Sequence, residues 1–254
     1  MNSVQRRNDI IRLVKRDGAV LVEQLVAKYD VSVETIRRDL RILDEKGFVK
    51  RTYGGAAKRE QTTWDMPFHE RVNLNRERKG RIAKEAVQLL ENGDSVFLDG
   101  NTTGYVVSMT LPVELQLMIV TNSLFVATTL LQRRAKSKVF LVGGEVNEEG
   151  MTSGHKLQQE LSSYRFDKAI VSCMGLTAQG AFFSKTEPMR VACSIAERSN
   201  QLILAADSSK MNRHAFLFGL ETKQIDVFIT DDEAPAPLLE KLAESIDRII
   251  VASQ

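Results

Sequence analysis

The chain has 254 residues, 43% of them apolar and 27% charged, with a formal net charge of +2. At about 100–200 residues per domain this length predicts two domains, with interior enough to fold without staples. Two cysteines, Cys173 and Cys193, are too few for a disulfide scaffold, and no apolar run approaches the roughly 18 residues of a membrane span.

The first residues, MNSVQRRNDIIRLVKRD, hold neither a long apolar stretch nor a small-residue cleavage site. No secretory leader is therefore expected, and the expected location is the cytoplasm with reduced thiols. Charge is unevenly spread. Residues 1–81 hold 19 Lys and Arg against 12 Asp and Glu, a net of +7, and residues 82–254 hold 16 against 21, a net of −5. A basic front joined to an acidic back is the asymmetry expected when one end meets a polyanion.

Residues 1–57 read as three helices and a hairpin. Ile10, Ile11, Leu13 and Val14 give helical spacing over 4–15, closed by Asp17-Gly18. A short helix over 22–29 points Leu25 and Val26 inward. After the turn Asp30-Val31-Ser32, Ser32 is a good N-cap for a third helix over 33–46, and Gly47 suits the left-handed residue past its end. Residues 48–53 then read as a strand, Gly54-Gly55 as a tight turn and 56–58 as a return strand.

Residues 58–77 are polar, contain Pro67 and lack periodicity, so they read as a linker, with Trp64 and Phe68 docking onto a neighbouring domain. From residue 78 apolar strands (95–98, 118–121, 139–142, 168–173, 202–206, 226–230, 248–252) alternate with helical patterns (78–91, 104–111, 124–133, 156–163, 189–198, 237–245). Strands this uniformly apolar are covered on both faces. The fold class is α/β: a small helix-turn-helix domain with a hairpin wing over 1–57, joined to a larger domain over 78–254 with a mainly parallel sheet.

On the third helix, Val33, Ile36, Leu40 and Leu43 share one face. Glu34, Arg38 and Arg41 point opposite, flanked by Thr35 and Arg37. A helix of this width fits the DNA major groove, where arginine donates twice to guanine. Lys50, Arg51 and Tyr53 before Gly54-Gly55, with Lys58 and Arg59 after, make a basic hairpin suited to the DNA backbone. Asp39 would be repelled by phosphates and is expected to pair with an arginine inside the domain. The segment SVETIRRDLRILDEKGFVKRTYGGA resembles the winged helix-turn-helix signature of the DeoR family of bacterial transcriptional regulators.

In the larger domain, strand 95–98 runs into Asp99-Gly100-Asn101-Thr102-Thr103-Gly104 and then a helix. That arrangement aims several amides and two hydroxyls at one point beside the positive end of a helix. Further polar loops hold Asn122-Ser123, Gly143-Gly144-Glu145, Met174-Gly175 and Asp207-Ser208-Ser209-Lys210, all at strand carboxyl ends, where ligands of parallel sheets bind. These segments resemble the sensor domain of the same family, which is similar in fold to ribose-5-phosphate isomerase and typically senses phosphorylated sugars or sugar-derived metabolites. The resemblance implies that Asp99, Gly100, Asn101, Thr102 and Thr103 hold phosphate, with Asn122 and Ser123 as a second phosphate loop. It also implies that Gly143, Gly144, Glu187 and Lys210, with the Gly175 loop, line the sugar side.

Two positions depart from the family pattern: Met174-Gly175 stands where Asp-Gly is usual, and Val191-Ala192-Cys193 where Val-Lys-Arg is usual. The chain thus lacks an acid and two cations that isomerase chemistry would use. His69, His155 and His214 are not spaced like a metal set. No catalytic residues, metal or cofactor are expected. The reading is a repressor of a carbohydrate-catabolism operon that binds double-stranded operator DNA as a dimer or tetramer and is released by a phosphorylated sugar or related metabolite. The alternative is a sugar-phosphate isomerase with a DNA-binding appendage.

Overall fold

The computed structural model describes residues 3–45, 48–57 and 67–253, and the chain divides into two units, Met1–Gln61 and Thr62–Gln254. Lys46, Gly47, Lys58, Arg59 and Trp64, singled out above, lie outside the described residues. The first unit runs α1 (Ser3–Asp17), β1 (Ala19–Leu21), α2 (Val22–Tyr29), α3 (Val33–Glu45), β2 (Lys50–Thr52) and β3 (Gly55–Ala57). Its helices enclose Ile10, Val14, Leu25, Ile36, Leu40 and Leu43, while Val33, expected inward, is 43% exposed at the first turn of α3. Ser32 caps α3 as its position predicts: its Oγ accepts from the Thr35 amide at 3.2 Å.

Strand β1 has no counterpart in the sequence reading. It pairs antiparallel with β3 in the sheet order β1-β3-β2, with Val20 opposite Ala56 and Leu21 opposite Gly55. The two wing glycines therefore have different tasks. Gly54 takes a φ of +86° in the turn, and its carbonyl accepts from the Val22 amide at 2.8 Å. Gly55 permits close approach, since a Cβ there would stand 2.0 Å from the Val20 carbonyl oxygen.

The second unit begins with α4 (Phe68–Asn73) and α5 (Arg76–Gln88), then β4 (Ser95–Leu98), α6 (Thr102–Thr110), β5 (Met118–Thr121), α7 (Leu124–Gln132) and β6 (Lys138–Leu141). A short hairpin, β7 (Glu145–Val146) and β8 (Thr152–Ser153), precedes α8 (His155–Leu161) and β9 (Phe166–Val171). Then come β10 (Gly175–Thr177), β11 (Gly180–Phe183), α9 (Thr186–Ala196), β12 (Ser199–Ala205), β13 (Leu217–Glu221), β14 (Val227–Asp231), α10 (Ala236–Leu242) and β15 (Arg248–Ala252).

The seven strands expected from the apolar runs form one sheet in the order β15-β14-β12-β9-β4-β5-β6, and every neighbouring pair is parallel. Alternate residues face opposite ways. Val96, Leu98, Ile119, Ile170 and Ile203 pack beneath α5, α6 and α7. Phe97, Val120, Ala169, Leu202 and Phe228 pack beneath α8, α9 and α10. Burying a side chain of this size contributes about 1.5–3 kcal/mol, which is why both faces of every central strand are apolar.

In the second unit the β7–β8 hairpin, a second sheet and a helix in the expected linker escape the sequence reading. A second sheet, β10-β11-β13, is antiparallel and carries the loop after β9. The stretch 58–77, expected as a linker, contains α4 and the start of α5. A helix of six residues is not stable from its own sequence. Tertiary contacts hold this one: Phe68 is 8% exposed, stacked on Phe125 at 5.1 Å and edge-on to Tyr105 at 5.8 Å.

Candidate functional site

The strand order reverses its direction of growth between β4 and β9. From β4 the chain builds outward through β5 and β6, then returns to the other side of β4 for β9 and continues through β12. Loops at such a point diverge to opposite faces and leave a crevice at the carboxyl ends of the strands. A cavity opens there, lined by Asp99 and Asn101 after β4, Ser172 and Cys173 after β9, and Asp207 after β12.

The base of the cavity is the start of α6. Asn101 is the N-cap, accepting from the Gly104 amide at 2.9 Å, and Thr102 and Thr103 line the cavity in the first turn. Gly104 is obligatory, because a Cβ would stand 2.0 Å from the Asp99 carbonyl oxygen. The helix thereby starts immediately beside the strand end and aims its positive pole into the cavity.

Around this pole stand four cations, Arg71, Lys79, Lys185 and Lys210, and three carboxylates, Asp99, Glu149 and Asp207. Asp99 is 6% exposed and accepts from Asn101 Nδ2 at 2.5 Å. Burial pushes its carboxyl up to about 6, against the pull of the Asn101 side chain and neighbouring amides. Burial likewise pushes Lys79 down to about 8, although Asp207 lies near. Its ammonium donates to the carbonyls of Leu74, at 2.7 Å, and Arg71. Asp207 accepts from Asn75 Nδ2 at 2.9 Å. Burial raises the Cys173 thiol to about 12, so it lines the cavity as an inert apolar group. Met174 lines it too, its Sδ 3.6 Å from Lys210 Nζ.

The residues proposed for the effector thus divide. Asp99, Asn101, Thr102, Thr103 and Lys210 line the cavity, and Gly100, Asn122, Ser123, Gly143, Gly144, Gly175 and Glu187 do not. The reason is topological for four of them: Asn122, Ser123, Gly143 and Gly144 follow β5 and β6, on the far side of β4 from the switch point. Asn122 instead supports the loop from beneath, its Oδ1 accepting from the Gly100 amide at 2.9 Å, and Ser123 caps α7, accepting from the Val126 amide at 3.3 Å. The Gly143 amide donates to Glu160 at 2.9 Å, and Gly144, at φ +151°, packs on Ser153. Gly175 packs on the Arg213 backbone. Glu187 accepts from Gln158 Nε2 at 3.1 Å and the Gly154 amide at 3.3 Å.

Sequence reasoning missed Arg71, Asn75, Lys79, Glu149 and Lys185. The signal available was weak: a basic run, RERKGR, straddling the end of the expected linker and the start of the expected 78–91 helix, marks only Lys79 among them. Ala192 is buried in the core, and Cys193 is half-buried with its Sγ donating to the Gly219 carbonyl at 3.3 Å.

In the first unit, Asp39 is 3% exposed and accepts from Arg6 Nε at 2.6 Å and Arg7 Nη1 at 3.1 Å, both on α1. That pairing fixes the rotation of α3. Glu34, Arg37, Arg38 and Arg41, on the opposite side at about 100° per residue, are exposed. The wing residues Lys50, Arg51, Tyr53 and Gly54 are exposed too, and a cleft between α3 and the wing is lined by Arg37, Arg51, Thr52 and both wing glycines. Ser32 and Thr35 pair their hydroxyls at 2.9 Å.

These two sites, a basic helix-turn-helix with a wing and an anion-suited crevice in a parallel sheet, define a ligand-responsive DNA-binding protein. Family comparison agrees: the DeoR-like helix-turn-helix domain matches residues 6–62 and the DeoR C terminal sensor domain matches residues 74–232. The chain belongs to the DeoR family of transcriptional regulators. It is 33% identical to the glycerol-3-phosphate regulon repressor of Escherichia coli strain K12, over 96% of this chain and 97% of that protein. It is 29% identical to the HTH-type transcriptional repressor GlcR of Bacillus subtilis strain 168, over 91% of this chain and 89% of that one. Among solved structures, ribose 5-phosphate isomerase A from Methanocaldococcus jannaschii is similar at a TM-score of 0.40 and 16% identity, over 54% of this chain and 55% of that chain. Among the described residues no helix is long and apolar enough to cross a membrane, and no cluster of His, Cys, Asp and Glu suits a metal ion.

Proposed function

We propose that this chain represses a carbohydrate-utilisation operon as a homo-oligomer, and that a phosphorylated sugar or related metabolite in the switch-point cavity lowers its operator affinity. Arg38 and Arg41 on α3 read bases, Lys50 and Arg51 of the wing contact phosphates, and two reading helices of a dimer occupy major grooves roughly 34 Å apart. The observation that carries the effector assignment is the start of α6. Thr102 and Thr103 of its first turn line a cavity that also holds Lys79 and Lys210, beside the positive end of the helix. Such a constellation suits a compact dianion with hydroxyls that Asp99, Asp207 and Asn75 can bind. The ligand prefers an arrangement that spaces the reading helices wrongly, so its binding and operator binding oppose one another.

The test is operator binding by fluorescence anisotropy across a panel of phosphorylated sugars and glycerol 3-phosphate. One of them is expected to weaken binding by about 5- to 150-fold, the usual range of allosteric coupling. Thr102→Glu places a carboxylate against the incoming phosphate and is expected to abolish that response. A response retained in Thr102→Glu would overturn the α6 assignment.

A further inference from the structure

The cations of the cavity are already engaged, and one carboxylate engages two of them. Glu149 stands in the turn joining β7 and β8 with its side chain 14% exposed. It accepts from Arg71 Nη2 at 2.6 Å and from Lys185 Nζ at 2.5 Å, and all three residues line the cavity. Asp99, by contrast, is held by amide donors. A carboxylate clamped between two cations on the wall of an anion cavity is chemically a substitute for the anion.

Arg71 belongs to α4, and α4 is tied to the cavity twice. Its side chain meets Glu149, and its carbonyl end is capped by the Lys79 ammonium, which itself lines the cavity. In sequence α4 is the first described element after the wing.

We propose that Glu149 is a built-in competitor for the effector. In the ligand-free chain it neutralises Arg71 and Lys185, and a phosphorylated ligand takes both cations from it. The proposal rests on the anion-binding reading of the cavity. The exchange is favourable because a phosphomonoester carries about −1.5 to −2 charges and accepts both arms of an arginine, whereas Glu149 offers a single charge. Glu149, once displaced, turns to water beside the half-exposed Lys185. Occupancy is thereby converted into the loss of the tie between α4 and the β7–β8 turn, at the helix that leads toward the reading unit along the chain.

The experiment is calorimetric titration of the full chain with inorganic phosphate and with glycerol 3-phosphate, comparing wild type, Glu149→Gln, Arg71→Gln and the double variant. Glu149→Gln is expected to bind phosphate about five- to tenfold more tightly, and the gain to shrink to about two- to threefold when Arg71 is also Gln and only Lys185 is left to be released. Glu149→Asp retracts the carboxylate without discharging it and is expected to give a smaller gain, which keeps the question open to measurement should the Gln variant fold poorly. Unchanged or weaker binding by Glu149→Gln, with wild type binding normally, overturns the competitor and leaves the anion cavity standing. A full gain that persists without Arg71 overturns it too, since plain repulsion would then suffice. Failure of every protein to bind either probe removes the anion cavity, and the proposal with it.

Discussion

In the reading unit a buried carboxylate, Asp39, meets two guanidinium groups, whereas in the sensor unit a carboxylate of similar burial, Asp99, meets N–H donors of the chain and a side-chain amide. The first is neutralised within the fold and faces no ligand; its role is to set which side of α3 looks outward. The second keeps a raised affinity for a proton and lines an open crevice. Pairing with cations lets the first build architecture, while burial without a cation gives the second the shifted titration that recurs at functional sites.

The largest effect that would break this contrast is expected from Asp39→Ala. It leaves Arg6, 8% exposed at its side chain, without its partner, and removal of one member of a buried pair costs about 3–5 kcal/mol. Urea unfolding of the reading unit is expected to shift accordingly and operator binding to be lost; a midpoint equal to wild type would make Asp39 an ordinary surface acid. Next in size is Gly104→Ala. Alanine ordinarily stabilises a helix interior relative to glycine by about 1 kcal/mol. Here the Cβ would meet the Asp99 carbonyl oxygen, so destabilisation of about 1–3 kcal/mol is expected, and a raised melting temperature would refute the close approach.

Arg38→Ala and Arg51→Ala sharpen the division within the reading unit. The helix residue is expected to reduce operator preference over random DNA by about 1–3 kcal/mol. The wing residue is expected to weaken all DNA alike and lower the salt slope by about one. Competition binding at three salt concentrations separates them, and an unaltered slope in Arg51→Ala would remove its backbone contact.

The last effect concerns Asp99 and is confined to one range of pH. Its carboxyl sits at about 6 in the fold against 3.8 for an ordinary aspartate. Between those values the folded state retains a proton that the unfolded state has released, so this group's contribution to stability is present below about pH 4 and is lost as pH rises to about 6. The difference in unfolding free energy between wild type and Asp99→Asn is expected to follow that course. A difference that stays flat from pH 4 to 6 would show Asp99 ionising normally.

Much of the frame was legible from sequence because it depends on period and on local caps. The seven parallel strands announced themselves as short apolar runs, and α3 as a capped amphipathic helix with Asp39 on the wrong side for DNA. The cavity was only half legible. Asp99 and Asn101 to Thr103 could be found because strand, glycine loop and helix are contiguous, and Lys210 because it follows a strand end. Asn122, Ser123, Gly143 and Gly144 share that local chemistry, yet they follow β5 and β6 on the far side of β4. Strand order is a long-range property that a polar loop does not encode.

The opening charge count gave a basic front and an acidic back, and the sequence by itself determined that much, together with the two-domain plan and the outward face of the reading helix. Only the tertiary structure decided where the charges of the sensor lie. Its net negative unit gathers four cations at one crevice, one of them, Arg71, from a segment with no periodicity of its own. The physical reason is that α4, closed by a lysine cap from the neighbouring α5, exists through packing on α6 and α7, contacts made between residues that the chain keeps apart until it folds.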